Sequence, residues 1–227
     1  MNTVTFDIYN SYSDLGLILS SKSIGAAKVK SLSVDIPAGD GALDYTEWFG
    51  DIYYENRELS FGFTMLCSSR DFLKKYSELQ NLLNGRRMKI TLSDDTDYYY
   101  VGRVSVNEWL SEKNIGKVVV TVDAEPYKLK HALTVITTTI ASSAEHYIVC
   151  PNMRKSVIPA FAFSEGCGGS LTIRKEGESG YASISTFYGA DCPQDVLFKE
   201  GNNIVTITPS SETFPYSFTV SYREGSL

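Results

Sequence analysis

The sequence predicts a mainly β chain: an N-terminal β-sandwich carrying one α-helix, followed by a second, helix-poor β-sandwich or jelly roll. Three observations predict it. Short runs of alternating apolar and polar residues recur along the chain, separated by Gly, Asn, Asp and Pro, which is the pattern of half-buried strands. One segment alone has the 3.6-residue period of a helix. Tyrosine, which suits strands and half-wet interfaces, occurs 15 times in 227 residues, against 2 histidines and 7 prolines.

The elements follow in order. "VKSLSVDI" places Val29, Leu32, Val34 and Ile36 (with Ser31 in phase) closely enough to alternation to predict a strand with one buried face. The next stretch, "PAGDGALDYTEWFGDIYYENR" from Pro37 to Arg57, holds no sustained period. Irregular stretches of about twenty residues are rare in compact domains and are often functional when ordered. This one carries Tyr45, Trp48, Phe49, Tyr53 and Tyr54, so it is no solvated linker. "RELSFGFTM" then sets Leu59, Phe61, Phe63 and Met65 on one strand face. "SSRDFLKKYSELQNLLNG" predicts the helix, over about Ser69–Asn84. Ser68 and Asp71 form a capping-box pattern, Asn84-Gly85 a stop, and Phe72, Tyr76, Leu79 and Leu83 an apolar stripe.

"RRMKITL" keeps Met88, Ile90 and Leu92 in phase, and a polar tip over Ser93–Asp97 turns the chain into the run Tyr98–Trp109, a hairpin. Asp94, Asp95 and Asp97 could hold a cation, but a calcium loop wants further oxygen ligands and a glycine at fixed spacing. Neither is present, so the acids are expected to be turn residues bonded to nearby backbone. Alternation places Tyr99 opposite Tyr98 and Tyr100, so no continuous stacking platform is expected. "KVVVTVDAEPY" is a further strand, ended at Pro126.

The Thr- and Ser-rich stretch "KHALTVITTTIASS" marks a boundary, placed between residues 132 and 133. Beyond it "VIPAFAFS", "SLTIRKEG", "ASISTFYG", "DVLFKEGNNIVTITP" and "PYSFTVSYREG" are strands at sandwich spacing. The Glu200–Asn203 tip is expected to join two of them as a hairpin.

Charge narrows the function. The net charge is −6, and divided after Leu133 both parts keep an excess of three acids, so no basic face for nucleic acid is predicted. The N-terminus lacks the pattern of a signal peptide, and no run has the roughly 18 apolar residues of a membrane span. The expectation is a soluble protein made in the cytoplasm. Cys67, Cys150, Cys167 and Cys192 are far apart without a CxxC pair and read as buried thiols. A Ser/His/Asp hydrolase has only His131 and His146 to draw on, and no GxSxG, Walker, GxGxxG or HExxH motif occurs. "GCGGS" (Gly166–Ser170) opens no helix and reads as a β-turn rather than a phosphate nest. No catalysis, cofactor or metal is expected.

The ordered series "SLSVDIPAGDGALDYTEWFG", "YYENRELSFGFTM", "LLNGRRMKITLSDD", "YYYVGRVSVNEW" and "VVVTVDAEPYK", across about Lys28–Lys130, resembles the distal tail proteins of long-tailed, non-contractile bacteriophages. The closing part, with "EGNNIVTI" and "VSYREGSL", is similar to the second domain of that family. The resemblance implies an N-terminal sandwich with an extended hairpin or belt over 1–132 and a galectin-like sandwich over 133–227. It implies a homo-hexameric ring at the virion tail tip, between the tail tube protein and the hub, tail-associated and receptor-binding proteins. Tyr45, Trp48, Phe49, Tyr53 and Tyr54 are the expected ring interface, because five aromatics in ten residues need a packing partner. A second reading is a carbohydrate-binding module for bacterial wall glycans. Its expected contacts are Tyr181, Phe187, Tyr188, Asp191, Asn202 and Asn203, with Phe214 and Tyr216 as further stacking aromatics; the competing reading of these aromatics is core.

Overall fold

The computed structural model describes residues 2–48, 50–66, 69–112 and 115–227. The chain divides into two compact units, Met1–Lys128 and Leu129–Leu227. It is mainly β, as predicted.

In the first unit the strands are β1 (Val4–Phe6), β2 (Tyr9–Asn10), β3 (Leu17–Ile24), β4 (Ser33–Asp35), β5 (Ala42–Asp44), β6 (Arg57–Leu66), β7 (Arg87–Leu92), β8 (Asp95–Glu112) and β9 (Ile115–Ala124), with α1 (Ser69–Leu83) between β6 and β7. Seven of them form one antiparallel sheet in the order β2-β1-β7-β8-β9-β6-β3. On a flat sheet β1 and β6 would lie roughly 19 Å apart, four strand spacings. Yet the Phe6 ring meets Phe61 and Phe63 with centroids 6.3 Å apart. The sheet therefore folds over on itself, and its inner face becomes both layers of a sandwich.

Alternation explains which side chains go inside. Leu59, Phe61, Phe63 and Met65 of β6, Val118, Val120 and Val122 of β9, and Val104 and Val106 of β8 are all buried in one cluster. Helix α1 closes that cluster with the stripe expected of it: Phe72, Leu79 and Leu83 are buried and Tyr76 half-buried. Its start is seated on Gly116, where a Cβ would lie 1.4 Å from the Phe72 ring. The Tyr76 hydroxyl donates to the Asn107 carbonyl (3.0 Å), and Val106 N–H donates to Asn84 Oδ1 (3.0 Å), tying the helix along β8. The Ser68 half of the expected capping box lies outside the described residues.

The β7–β8 tip differs from its expected form. The turn is Ser93-Asp94, with Leu92 opposite Asp95, and the pairing slips between Ile90 and Leu92. Alternation still separates the tyrosines: Tyr100 joins the core cluster, Tyr99 is buried outside that cluster, and Tyr98 is half-buried. The sequence suggests local backbone bonds for these acids, and Asp94 has one, but the main partners of Asp94 and Asp95 are side chains. Asp94 accepts from Lys22, and Asp95 from Lys128 at 2.7 Å, each a cation brought in from a distant segment. Cations also cover the tyrosines: Lys128 Nζ lies 4.4 Å from the Tyr98 centroid, Lys89 Nζ 5.1 Å from Tyr99, and Arg57 Cζ 5.7 Å from Tyr100.

From the division onward the strands are β10 (Lys128–Lys130), β11 (Thr134–Ile140), β12 (His146–Asn152), β13 (Ala160–Phe163), β14 (Gly168–Lys175), β15 (Tyr181–Tyr188), β16 (Ala190–Asp191), β17 (Gly201–Pro209), β18 (Tyr216–Tyr222) and β19 (Gly225–Ser226), with β10 pairing β19. Two four-stranded antiparallel sheets, β11-β18-β13-β16 and β12-β17-β14-β15, make a β-sandwich. Phe161, Phe163, Phe198, Phe218, Val205 and Ile207 lie in its core. The expected hairpin at Glu200–Asn203 is absent. Phe198 pairs only with Val157, as an isolated bridge, while β17 pairs with β12 and β14. Two buried asparagines hold this irregular segment instead. Asn152 Nδ2 donates to the carbonyls of Lys155 (2.9 Å) and Phe198 (3.1 Å). Asn203 donates to Lys199 O (2.9 Å) and accepts from Lys199 N–H (3.0 Å). Cys150 and Cys167 are buried as expected, whereas Cys192 is exposed and Cys67 lies outside the described residues.

Candidate functional site

Between β3 and β6 the chain leaves the sandwich as an arm. Gly25 N–H donates to Glu58 O, Glu55 N–H to Lys28 O, and Lys30 N–H to Tyr53 O, each at 2.8 Å, and Val29 bridges Tyr54. These bonds extend the β3–β6 ladder outward. Further on, Tyr45 N–H donates to Leu32 O (2.7 Å), and β4 pairs with β5 through Ser33–Asp44, Val34–Leu43 and Asp35–Ala42. Asp44 folds back on the turn that follows, accepting from Thr46 N–H at 2.9 Å, and hydrogen bonding to Thr46 holds its carboxyl below the usual carboxylate range. These bonds hold the arm's two strands together along its length.

Its side chains are not covered. The strand expected over Val29–Ile36 with one buried face is three residues long, and no residue of β4 or β5 is buried. Ile24, Val29, Leu32, Val34, Ile36 and Leu43 are all exposed. A two-stranded ribbon has no second layer, so alternation gives it faces but no core. Of these, Val29, Leu32, Val34 and Ile36 are the ones the alternation assigns to a buried face; their signal is an apolar strand whose following segment offers no partner of matching period.

The five aromatics expected at an interface fall into separate groups. Trp48 is 72% exposed and Tyr53 51%. Tyr45 is half-buried and packs edge-on against Trp48, with centroids 5.4 Å apart. Tyr54, half-buried, packs against Tyr127 at 5.8 Å and so belongs to the root of the arm. Phe49 lies outside the described residues. The arm is also acidic: Asp35, Asp40, Asp44, Glu47, Asp51 and Glu55 lie between Ser31 and Asn56, a stretch without Lys, Arg or His. Apolar surface framed by one sign of charge is the composition of a docking element.

The residues expected to hold sugar do not converge. Tyr181 and Asn203 line one cleft of about 330 Å³, with Glu178, Asp195 and Lys199. Tyr181 is exposed, but the Asn203 amide is buried and spent on Lys199 and on the carbonyls of Cys150 (3.3 Å) and Gly201 (3.2 Å). The Asn202 amide donates to Glu176 (2.8 Å). Tyr188 and Phe187 lie at the other end of β15, where Phe187 packs on Phe163 at 5.0 Å, and Asp191 sits on β16 opposite Phe161. Phe214 stacks on the buried Tyr216 at 5.5 Å, as core packing rather than as an open platform.

Titratable groups suited to catalysis are not assembled among the described residues. Burial pushes the Cys150 thiol up to about 12, away from nucleophilic character. His146 Nε2 lies 3.3 Å from the Ser142 carbonyl, a local turn contact. Among the described residues no group of three or more His, Cys, Asp or Glu side chains is arranged to hold a metal ion, and no helix is long and apolar enough to cross a membrane.

No family model matches the sequence, and no curated protein matches it. Among solved structures the chain is similar to the crystal structure of SPP1 Dit (gp 19.1), described as a paradigm of hub adsorption apparatus in Gram-positive infecting phages. The two share 15% identity and a TM-score of 0.69, and the match covers 100% of both chains. The resemblance read from the sequence and the likeness of the structures thus coincide: from end to end, this chain has a fold similar to that of the Dit protein.

Proposed function

We propose that this chain is a non-catalytic structural protein of a phage tail tip. Six copies form a ring that joins the tail tube to the hub and host-adhesion proteins, so the mature location is the virion tail, after synthesis in the bacterial cytoplasm. The observation that carries this reading is the fold match to SPP1 Dit, which covers 100% of both chains at a TM-score of 0.69. The exposed apolar arm supports self-association, because monomeric proteins seldom leave such surface uncovered.

The test is the size and shape of the purified protein. The reading expects a ring with a central channel in negative-stain images and a mass near six times 25.2 kDa by light scattering. A chain that stays at 25.2 kDa at every concentration contradicts it.

A further inference from the structure

We propose that the outer face of the β12-β17-β14-β15 sheet is a binding surface for a neutral saccharide chain, held between Tyr147 and Tyr181. The surface lies within the second unit and does not depend on ring formation. Apart from Tyr181, its residues are not those the sequence suggested for a sugar.

The strand register assembles the surface. One row runs Tyr147–Thr206–Thr172–Ser183 across the four strands, and the next runs Val149–Ile204–Arg174–Tyr181. Alternation turns these residues outward, exposed or half-buried, while Val205, Ile207, Leu171 and Ile173 enter the core between them. A solvated sheet face is ordinarily polar, yet here Tyr147 is 76% exposed and Tyr181 71%, with Val149 exposed beside them. The two tyrosines stand on the outermost strands, about 14 Å apart at three strand spacings.

The ground around and between them is rich in free hydrogen-bonding groups. The hydroxyls of Thr206, Thr172 and Ser183 and the Arg174 guanidinium have no hydrogen bond or ion pair with a described residue. Aromatic rings flanking a field of free donors and acceptors match a sugar chain. Its C–H faces stack on the rings while its hydroxyls exchange hydrogen bonds with the side chains. A peptide strand would dock on a free sheet edge and not on this face, because the backbones of β17 and β14 are paired on both sides.

Charge selects the kind of saccharide. Arg174 is the single charged side chain in the two rows, whereas the chain beyond Leu133 carries an excess of three acids. An acidic polymer is repelled by that surrounding field. The guanidinium then serves as a planar fork of donors to neighbouring sugar hydroxyls.

The test is titration calorimetry of the full chain with neutral tetrasaccharides of glucose, galactose, mannose or N-acetylglucosamine, and with tetragalacturonate as the acidic counterpart. At least one neutral tetrasaccharide is expected to bind, and more tightly than tetragalacturonate. Tyr147→Ala, Tyr181→Ala and Arg174→Ala, each with an unchanged circular dichroism spectrum, are expected to weaken that binding at least about tenfold. Tyr188→Ala, which removes an exposed tyrosine at the far end of β15, is expected to leave it unchanged. Failure of every neutral probe to bind overturns the proposal. So does binding that survives both Tyr147→Ala and Tyr181→Ala, or that falls equally with Tyr188→Ala, because the site then lies elsewhere. Tighter binding of tetragalacturonate overturns the neutral class. None of these results bears on ring mass, which light scattering reads separately.

Discussion

Strand β6 and the arm that precedes it are built from the same kinds of residue and end in opposite environments. In β6, Leu59, Phe61, Phe63 and Met65 alternate with small or polar residues and are almost wholly buried. In the arm, Leu32, Val34 and Ile36 alternate in the same way and are exposed. The difference lies in what surrounds each strand. β6 has neighbours on both sides and a sheet that folds back to cover its inner face, whereas the β4–β5 pair has one neighbour and no second layer. Alternation encodes two faces; burial of either needs a surface to pack against. An alternating strand without such a surface keeps both faces in solvent, as β4 and β5 do.

Removing a side chain from each region separates the two environments most sharply. Phe61→Ala should lower the stability of the protomer by about 3–5 kcal/mol, the usual result of opening a cavity in a closed core. Trp48→Ala should change it by no more than about 0.5 kcal/mol, as an exposed position does. Denaturant titration at low protein concentration checks both. Equal losses would mean that the arm is part of the folded core.

A second contrast is smaller and concerns thiols. The unfolded Cys150 thiol ionises near 9.0, but burial in the folded state pushes it up to about 12. Between those values the unfolded chain has lost a proton that the folded chain keeps, so folding is disfavoured progressively. The contribution is therefore fully present below about pH 9 and is lost as pH rises toward 12. Denaturation midpoints at pH 8 and pH 10.5 should show the decline, and Cys150→Ala should flatten it. Peptide mapping after alkylation at pH 8 should find Cys192 modified and Cys150 intact until the chain unfolds.

The smallest effect belongs to the acidic tip. Asp95→Ala should shift stability by no more than about 1 kcal/mol, because its partner Lys128 is partly in solvent. For Asp94 the hydrogen bond from Lys22 lowers the carboxyl below its ordinary value. Its contribution is therefore present above about pH 4 and lost as pH falls through the lowered value. Melting temperature in calcium and in chelator should be the same. A calcium-dependent rise would mean that the ion displaces the lysines, and would reverse the reading of the tip as ion-paired.

Much of this molecule is legible in the residues alone. The helix bounds, the buried stripe Phe72, Leu79 and Leu83, the inner faces of β6 and β9, and the all-β second half follow from periods of 3.6 and 2, which are properties of local backbone geometry. What needed tertiary structure was every question of what faces what. Nothing local says that β4 and β5 lack a covering layer, that Lys22 and Lys128 reach the acids of a distant turn, or that Lys89 covers Tyr99 outside the core that holds Tyr100. The tip Glu200–Asn203 looks like a hairpin because its turn chemistry is right, yet the Asn203 amide is committed to the carbonyls of Cys150 and Lys199 and holds an irregular segment in place. The arm's aromatics stand out by composition. Which of them stand free depends on long-range packing, which no short window of sequence contains.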